Sequence, residues 1–163
     1  MAKTSKPKEL EGEVYYPSEQ VVAEARLKDW DALAEKAGKD LQGFWGDEAS
    51  ELEWFKKWGK VLDDSNKPFF KWFVGSKTNI VHNAIDRHLK THRKNQLALI
   101  WESEDGKSER TFSYYAMNRE VSRMANIIKS MGIQKGERVT IYMGRVPEIV
   151  FAMMACAKIG AIH

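Results

Sequence analysis

The sequence predicts an α/β protein in which an aromatic-rich helical lead segment is followed by an incomplete βαβ sheet. Apolar residues in the first third recur at spacings of three, four and seven, which indicates amphipathic helices. From about Thr78 onward, helical patterns alternate with short β-branched runs. The last such run, at residues 138–143, is followed by one helix and by the start of a strand at 161–163. A parallel strand needs neighbouring strands to pair with and layers that cover both faces of its sheet. The predicted βαβ unit therefore lacks part of its sheet.

Composition narrows the class of protein. The 163 residues suffice for one compact core, and 26 basic against 23 acidic residues give a net charge of only +3. Such a balance favours neither nucleic acid nor a membrane surface as partner. The longest apolar run, at residues 149–157, is too short to span a bilayer. The single cysteine, Cys156, lies in that run and suits a core position in a reducing cytoplasm, so we expect a soluble, cytoplasmic protein.

The lead segment begins with a lysine-rich stretch, residues 1–14, which lacks the apolar core of a signal peptide and is predicted to be a disordered tail. Ser18 is placed to cap a first helix, and Asp29 to cap a second one that Gly38 would end. A third helix is predicted to carry the apolar residues between positions 41 and 55. The segment is therefore mainly helical.

Aromatic residues and lysines alternate at residues 54–60 and again at 68–74, where Pro68 begins a strand-like run. One interpretation is a stacking platform for single-stranded nucleic acid. The other is that the rings anchor an irregular segment to the body of a larger protein while lysine stems cover apolar surface. Acidic residues crowd the same stretch, which favours the second interpretation.

The next part alternates between helix and strand. Residues 79–89 are predicted to form a helix, and residues 97–101 and 109–112 a hairpin joined by a turn. Ser113 is placed to cap a long amphipathic helix, which Gly132 would close with a left-handed turn. The strand at 138–143 is followed by the single helix mentioned above, which has a proline in its first turn and a glycine at its end.

Two motifs resemble ligand sites only superficially. Gly75-Ser76-Lys77-Thr78 lacks the earlier glycine of a phosphate loop, and a serine separates its glycine from its lysine. His88 and His92 have the spacing of a zinc site, but they lack an identifiable third ligand and lie among basic residues, which indicates a solvated helix end. The sequence places no histidine near a candidate nucleophile, so no catalytic residue is predicted. For the reasons just given, no metal site is predicted either.

Gly144 and Arg145 have a positional argument in their favour. Ligands of open α/β sheets gather outside the carboxyl ends of parallel strands, and this pair follows the strand at 138–143 and precedes a helix. Glycine permits close backbone approach, and arginine could meet an anion at the helix N-terminus. We therefore predict Gly144 and Arg145 as cofactor-binding residues, against the alternative of an ordinary turn with an exposed arginine.

Several strings occur in an order that resembles a known family. They are GFW (43–45), WFKKWGKVLD (54–63), KWFVG (71–75), NIVHNAIDRH (79–88), TFSY (111–114), GIQKGERV (132–139) and MACAKIGAIH (154–163). Together they resemble the N-terminal region of AMP-forming acetyl- and propionyl-CoA synthetases, members of the adenylate-forming superfamily. The aromatic strings narrow the resemblance to the short-chain branch.

The resemblance implies that residues 15–77 are the synthetase-type N-terminal helical segment and that residues 78–163 begin the large AMP-binding domain, which is truncated here. It implies a parent enzyme that converts a short acid, acetate first, with ATP and CoA to acyl-CoA, AMP and pyrophosphate through an acyl-adenylate, using Mg²⁺. The family's catalytic residues lie beyond the position matching His163. The fragment alone is therefore expected to be inactive, to bind no cofactor and to meet small-molecule substrates only through the remainder. The alternative is a non-catalytic binding or assembly module that keeps this shape.

Overall fold

The computed structural model describes residues 16–163, and the chain divides into two units, Met1–Leu41 and Gln42–His163. The predicted tail at residues 1–14 lies outside the described residues. In the first unit, helix α1 (Glu19–Glu24) is capped by the Ser18 hydroxyl. Helix α2 (Trp30–Lys39) is capped by Asp29, whose carboxylate accepts from the Ala32 amide at 2.9 Å. Both caps were predicted, but α2 continues through Gly38 to Lys39.

The second unit holds the remaining elements. In chain order they are α3 (Leu41–Ser50), β1 (Lys60–Asp63), β2 (Lys71–Val74), α4 (Ile80–Ala84), two 3₁₀ turns (Asp86–Lys90 and His92–Asn95), β3 (Leu97–Glu102), β4 (Glu109–Ser113), α5 (Tyr114–Ser130) and α6 (Pro147–Ile159). The strands form two antiparallel pairs, β1 with β2 and β3 with β4. None of the helices within residues 16–163 has both the length and the apolar character required to cross a bilayer.

The lead segment differs from its prediction in two places. Helix α3 ends at Ser50, so Leu52 and Phe55 lie beyond it, because the chain turns and the Trp54 indole donates back to the Ala49 carbonyl at 2.7 Å. The strand-like run predicted at 68–74 is present as β2, and it pairs with β1, a strand that the sequence did not reveal. A strand of four residues is too short to give a periodic signal of its own.

The helix predicted at residues 79–89 is interrupted. The side chain of Asn79 caps α4, which ends at Ala84, and Ile85 leaves the helical region with φ −129° and ψ −60°. The chain then continues as a 3₁₀ turn. Val81 and Ile85 are both buried in the core, so the tertiary contacts of these two side chains override the local preference for one continuous helix.

The predicted hairpin and the two long helices are confirmed. Strand β3 pairs with β4, Ser113 caps α5, and α6 has Pro147 in its first turn. Gly132 and Gly160 follow α5 and α6 with φ of +90° and +79°, conformations that side chains with a Cβ rarely adopt.

The core lies between α5, α6 and the segment around α4. One cluster is formed by Val81, Ile85, Met117, Val121 and Phe151, and a second by Ala125, Ile128, Ala155, Cys156 and Ala161. Cys156 is fully buried, and burial raises the pKa of its thiol. Its predicted role in packing is thus confirmed.

The strand predicted at residues 138–143 is paired only at its first residue. Arg138 forms a parallel bridge with Ile162, in which the Val139 amide donates to the Ile162 carbonyl and the Ile162 amide to the Glu137 carbonyl, both at 2.8 Å. The parallel direction of the βαβ unit is as predicted. Within the described residues 16–163, however, the backbone of 140–143 has no partner, so the predicted strand stops at its bridge.

Asn83 on α4 makes several polar contacts that reach the lead segment at Glu53. The side chain is 6% exposed, and its Oδ1 accepts from the Glu53 amide at 2.8 Å and from Arg87 at 3.3 Å. Its Nδ2 donates to the Glu53 carbonyl and to Thr78 Oγ1, each at 3.0 Å. One buried amide therefore fixes the chain around Glu53 against α4.

We expect Asn83→Ala to lower the free energy of unfolding by about 2 kcal/mol, because it removes the part-buried acceptor of the Glu53 amide and one of the two donors to the Glu53 carbonyl. Urea titration of the 163-residue chain followed by tryptophan fluorescence measures the change. Asn95→Ala, at an exposed asparagine, is the matched control and should shift stability by less than about 0.5 kcal/mol. Equal changes in the free energy of unfolding for the two variants would contradict a stabilising contribution from the Asn83 contacts.

Candidate functional site

The candidate site is the loop that joins residues 138–143 to α6. Gly144 and Arg145 are both exposed, and apart from its two chain neighbours no atom of residues 16–163 lies within 4 Å of where a Cβ on Gly144 would be. The Val146 amide donates to the Gly144 carbonyl at 2.8 Å, which makes the loop tight. The loop therefore presents open backbone and one guanidinium directly before a helix.

Strand β3 holds this loop in place. The indole Nε1 of Trp101 donates to the Arg145 carbonyl at 2.7 Å. Beyond the loop, Pro147 is buried at the start of α6, and Val146 provides no side-chain cap. A contact between residues 44 positions apart thus fixes the loop, and sequence reasoning did not identify it.

Two glutamates share a cavity with Arg145. A cavity of about 450 Å³ is lined by Glu102, Glu104 and Arg145. Nearby, Arg110 Nη1 lies 2.8 Å from Glu148 Oε1 in the first turn of α6. The hydrogen bond from Arg110 lowers the pKa of Glu148 below its ordinary value. A phosphate at this cavity would meet two carboxylates together with the Arg145 guanidinium.

A second concavity lies along the unpaired segment. It is an open groove of about 430 Å³ whose apolar lining includes Val139 and Ile141 of the segment, Ile149 and Met153 of α6, and Ile162. Met153 and Ile162 are 38% and 54% exposed. The groove is thus an apolar surface next to unpaired backbone.

The other weak motifs have structural roles. The Lys77 carbonyl accepts from the Phe55 amide at 2.8 Å, and Thr78 Oγ1 donates to the Glu53 carbonyl at 2.9 Å, so residues 75–78 join two backbone segments. The His88 ring lies 5.0 Å from the Tyr114 ring, and burial together with Arg87 lowers the pKa of His88. In the part of the chain that is described, no three metal-ligating side chains come together.

Some of the aromatic side chains pack on one another within the chain. Trp54, Trp58 and Phe73 pack on one another with ring centroids 5.0 to 5.4 Å apart. By contrast, Phe69 and Phe70, at the turn before β2, are 71% and 53% exposed. The internal packing agrees with the anchoring interpretation, while the exposed rings leave an apolar surface.

Comparison with known families gives a contiguous match. Residues 30–84 match the family described as "Acetyl-coenzyme A synthetase N-terminus", and residues 85–163 match the family described as "AMP-binding enzyme". The boundary between the two falls between Ala84, the last residue of α4, and Ile85.

Two relatives are similar to this chain over most of its length. An "Acetyl-coenzyme A synthetase" of Chlorobaculum tepidum is 46% identical over 137 residues, 84% of this chain and 20% of the relative. One from Gemmatimonas aurantiaca is 45% identical over 153 residues, 94% of this chain and 23% of the relative. The chain therefore spans about a fifth of the length of the curated relatives it matches.

A solved structure supports the fold. The "Acetoacetyl-CoA Synthetase from Streptomyces lividans" superposes with a TM-score of 0.76 at 23% identity, covering 89% of this chain and 25% of that one. At this identity the similarity concerns the fold, and it agrees with the α/β class predicted from the sequence.

We expect Arg110→Ala to raise the pKa of Glu148 toward its ordinary value of 4.5, because the hydrogen bond from Arg110 is the main cause of the lowering. A lowered carboxyl pKa stabilises the fold above pH 4.5, and this contribution is lost as pH falls through the folded value. Acid unfolding of the variant should therefore be less steep in that window. NMR titration of the Glu148 carboxyl carbon measures the pKa, with Arg123→Ala, which removes a partner of Glu120, as control. An unchanged Glu148 pKa in Arg110→Ala would contradict the assignment.

Proposed function

This chain belongs to the acetyl-coenzyme A synthetase family of AMP-binding enzymes, and we propose that it is the N-terminal part of a ligase that joins a short carboxylic acid, acetate first, to coenzyme A. The observation that carries the proposal is the ordered match of residues 30–84 and 85–163 to two consecutive families. Acetate is proposed as the acid because the relatives at 45 to 46% identity are named acetyl-coenzyme A synthetases.

The proposed reaction has two steps. The carboxylate attacks the α-phosphate of ATP, which releases pyrophosphate and leaves an acyl-adenylate. The CoA thiol then attacks the acyl carbon, so acyl-CoA forms and AMP leaves. Both steps develop negative charge on oxygen, and an enzyme stabilises such charge with concentrated cations and backbone donors.

We propose that the described residues supply little of that stabilisation. In support, residues 16–163 contain no cluster of three side chains fit for a metal ion, and Arg145 of the α6 loop lines its cavity together with Glu102 and Glu104. Residues 75–78 are engaged in backbone pairing. We therefore propose that ATP, Mg²⁺ and CoA bind mainly through parts of a longer polypeptide, and that residues 1–163 alone make no acyl-CoA.

Gly144 and Arg145 remain our prediction for cofactor contacts within this chain. The support is positional: open backbone at Gly144 and an exposed Arg145 stand at the start of α6, where backbone amides point outward. The contact would complete a binding site whose other donors come from elsewhere.

A second candidate function is a non-catalytic binding or assembly module. It draws support from exposed rings at Phe69, Phe70 and Trp72, which offer an apolar surface. The mass of the natural polypeptide separates the candidates, since a native product of 163 residues favours the module and a far larger one favours the ligase. A cytoplasmic location is proposed with either, because Cys156 is a free thiol.

We expect the natural polypeptide that contains this chain to catalyse acetate-dependent exchange of label between pyrophosphate and ATP, whereas purified residues 1–163 do not. The reason is that the adenylating groups are proposed to lie outside the described residues. Radiolabelled pyrophosphate measures the exchange, and omission of acetate is the control. Exchange by residues 1–163 would overturn the proposed division, and its absence from the longer polypeptide would overturn the proposed activity.

We expect Arg145→Ala in that longer polypeptide to raise the KM for ATP or for CoA about tenfold, because a hydrogen bond to a charged group contributes about 1.5 kcal/mol. Steady-state kinetics with each substrate varied in turn measures the change. Arg119→Ala is the matched control, since Arg119 is an exposed arginine on α5 that pairs with its neighbour Glu120. A KM within twofold of the parent value for both substrates would remove Arg145 from the binding residues.

A further inference from the structure

The two 3₁₀ turns between α4 and β3 are strongly basic. Residues 87–94 hold four arginines and lysines and two histidines, and no aspartate or glutamate occurs between positions 87 and 101. Asp86, which precedes this stretch, is already in contact with Asn118 and Lys158. The whole chain is nearly balanced, with 26 basic and 23 acidic residues. Residues 87–94 therefore concentrate positive charge in a protein that has little net charge.

The fold bends this stretch around an open cavity. Thr91 ends the first turn and begins the second, and its hydroxyl donates to the His88 carbonyl at 3.0 Å and accepts from the Arg93 amide at 3.2 Å. The volume of the cavity is about 360 Å³, which lies in the range of roughly 300–1,000 Å³ usual for ligand pockets. It shares no lining residue with the cavity at the α6 loop. The residues that line it are Glu53, Arg87, His88, Thr91, His92 and Arg93.

Arg87 is held in place through one of its nitrogens. Its Nη1 donates to the Glu51 carbonyl at 3.0 Å and to Asn83 Oδ1 at 3.3 Å. The Nη2 and Nε donors of the same guanidinium have no acceptor among residues 16–163. The side chains of His92 and Arg93 are exposed, and they make no ion pair or hydrogen bond within the described range. The cavity thus offers several charged donors to a ligand.

One carboxylate also lines the cavity, and it has a partner of its own. Glu53 Oε2 lies 2.7 Å from His82 Nε2 of α4. Burial is the main reason that the pKa of His88 lies below its ordinary value, and the charges of Arg87 and Arg93 lower it further. Glu53 opposes this lowering with a smaller effect than either arginine. The electrostatic balance at the His88 ring is therefore cationic, which favours an anion.

We propose that this cavity binds a small phosphate monoester, whose phosphate group is held by the guanidinium groups of Arg87 and Arg93 and by the ring of His92. The planar donors of arginine match the oxygens of a phosphate in pairs, and a histidine nitrogen adds a further donor. One water takes up about 30 Å³ in the liquid, so an inorganic phosphate ion would fill only a small part of the cavity. The ligand therefore carries an organic group as well. This inference goes beyond the proposed ligase activity and does not rest on it.

The lining favours a small molecule over a nucleic acid, which carries the same phosphate chemistry. Single-stranded nucleic acids bind in grooves that follow several phosphates, with aromatic rings on which the bases stack. The lining of this cavity contains no phenylalanine, tyrosine or tryptophan, and its two arginines suit one phosphate group.

Calorimetric titration of the natural polypeptide that contains this chain tests the proposal. The probe is glycerol 3-phosphate, and glycerol is the control that lacks the phosphate group. We expect saturable binding with a Kd of about 1 mM or lower, an affinity that two charge-assisted hydrogen bonds support. Absence of saturable binding well above that concentration would overturn the proposal.

Two substitutions show whether the probe binds in this cavity. Arg93→Gln removes a charge from the lining and should raise the Kd about tenfold, because one charge-assisted hydrogen bond is lost. Lys94→Gln removes the same charge one position along the chain and is the matched control, since Lys94 lies over the Tyr115 ring and does not line the cavity. Its Kd should stay within about twofold of the parent value, because salt screens exposed charges outside the site. Equal Kd values for the two variants would contradict the site.

The His88 ring gives a readout on the unsubstituted protein. Carbon-13 labelling of histidine allows its titration to be followed by NMR, and His88→Gln identifies its signal. Glycerol 3-phosphate should raise the pKa of His88 toward its ordinary value, because the bound phosphate offsets the charges of Arg87 and Arg93. Glycerol should leave it unchanged. A His88 pKa that does not respond to saturating glycerol 3-phosphate places the probe elsewhere and overturns the proposal.

The remaining outcomes identify the source of the phosphate and separate this inference from the proposed function. Tighter binding of single-stranded polyuridine, with steeply salt-dependent affinity, would overturn the proposal in favour of a nucleic acid. Glycerol 3-phosphate takes no part in acetate-dependent pyrophosphate exchange. Exchange without binding of glycerol 3-phosphate therefore overturns this inference alone, and binding at His88 without exchange overturns the proposed activity alone.

Discussion

The Asp86 carboxylate connects the three elements that organise the second unit. Its Oδ1 accepts from Asn118 of α5 at 2.6 Å and lies 2.7 Å from the Lys158 ammonium of α6. Both charged side chains are about a quarter exposed, so water screens the pair only in part. Asn79 adds a second contact, since its amide donates to the carbonyls of Ala157 and Lys158 at the end of α6. These bonds hold the C-terminal end of α6 against α4 and the 3₁₀ turn that carries Asp86.

Local chemistry makes the first residues of three helices predictable. Ser18, Asp29 and Ser113 cap helices because their side-chain oxygens accept from amides three residues ahead, a contact that requires no distant neighbour. Gly160 ends α6 for an equally local reason, its positive φ. The errors occur where tertiary contacts decide, as at Ile85, whose burial interrupts the predicted helix, and at β1, which exists through its pairing with β2.

The candidate loop also combines a feature set by local sequence with features set by tertiary contacts. Its position at the start of α6 followed from the order of strand, glycine and proline. Its surroundings did not, because Trp101, Glu102 and Glu104 come from the β3 hairpin and reach the loop only in the folded chain. Glu102 and Glu104 line the same cavity as Arg145, so a phosphate that entered it would also meet two carboxylates, which repel it. A phosphate contact by Arg145 therefore calls for further cations, which the proposed longer polypeptide would have to provide.

The contrast between β3–β4 and residues 138–143 explains why, within residues 16–163, the second stretch pairs only at its first residue despite its strand composition. Strand β3 reaches its partner through a tight turn at residues 103–108, in which Gly106 has a φ of +67° and the Ser103 amide bonds to the Ser108 carbonyl. The ladder therefore closes over a few residues at small entropic cost. A parallel strand reaches its partner only after a crossover, here the whole of α6, and gains a single bridge at Ile162. Composition gives residues 138–143 the preference for a strand, but only a neighbouring backbone can satisfy their amides and carbonyls, and that requirement cannot be met from within the segment.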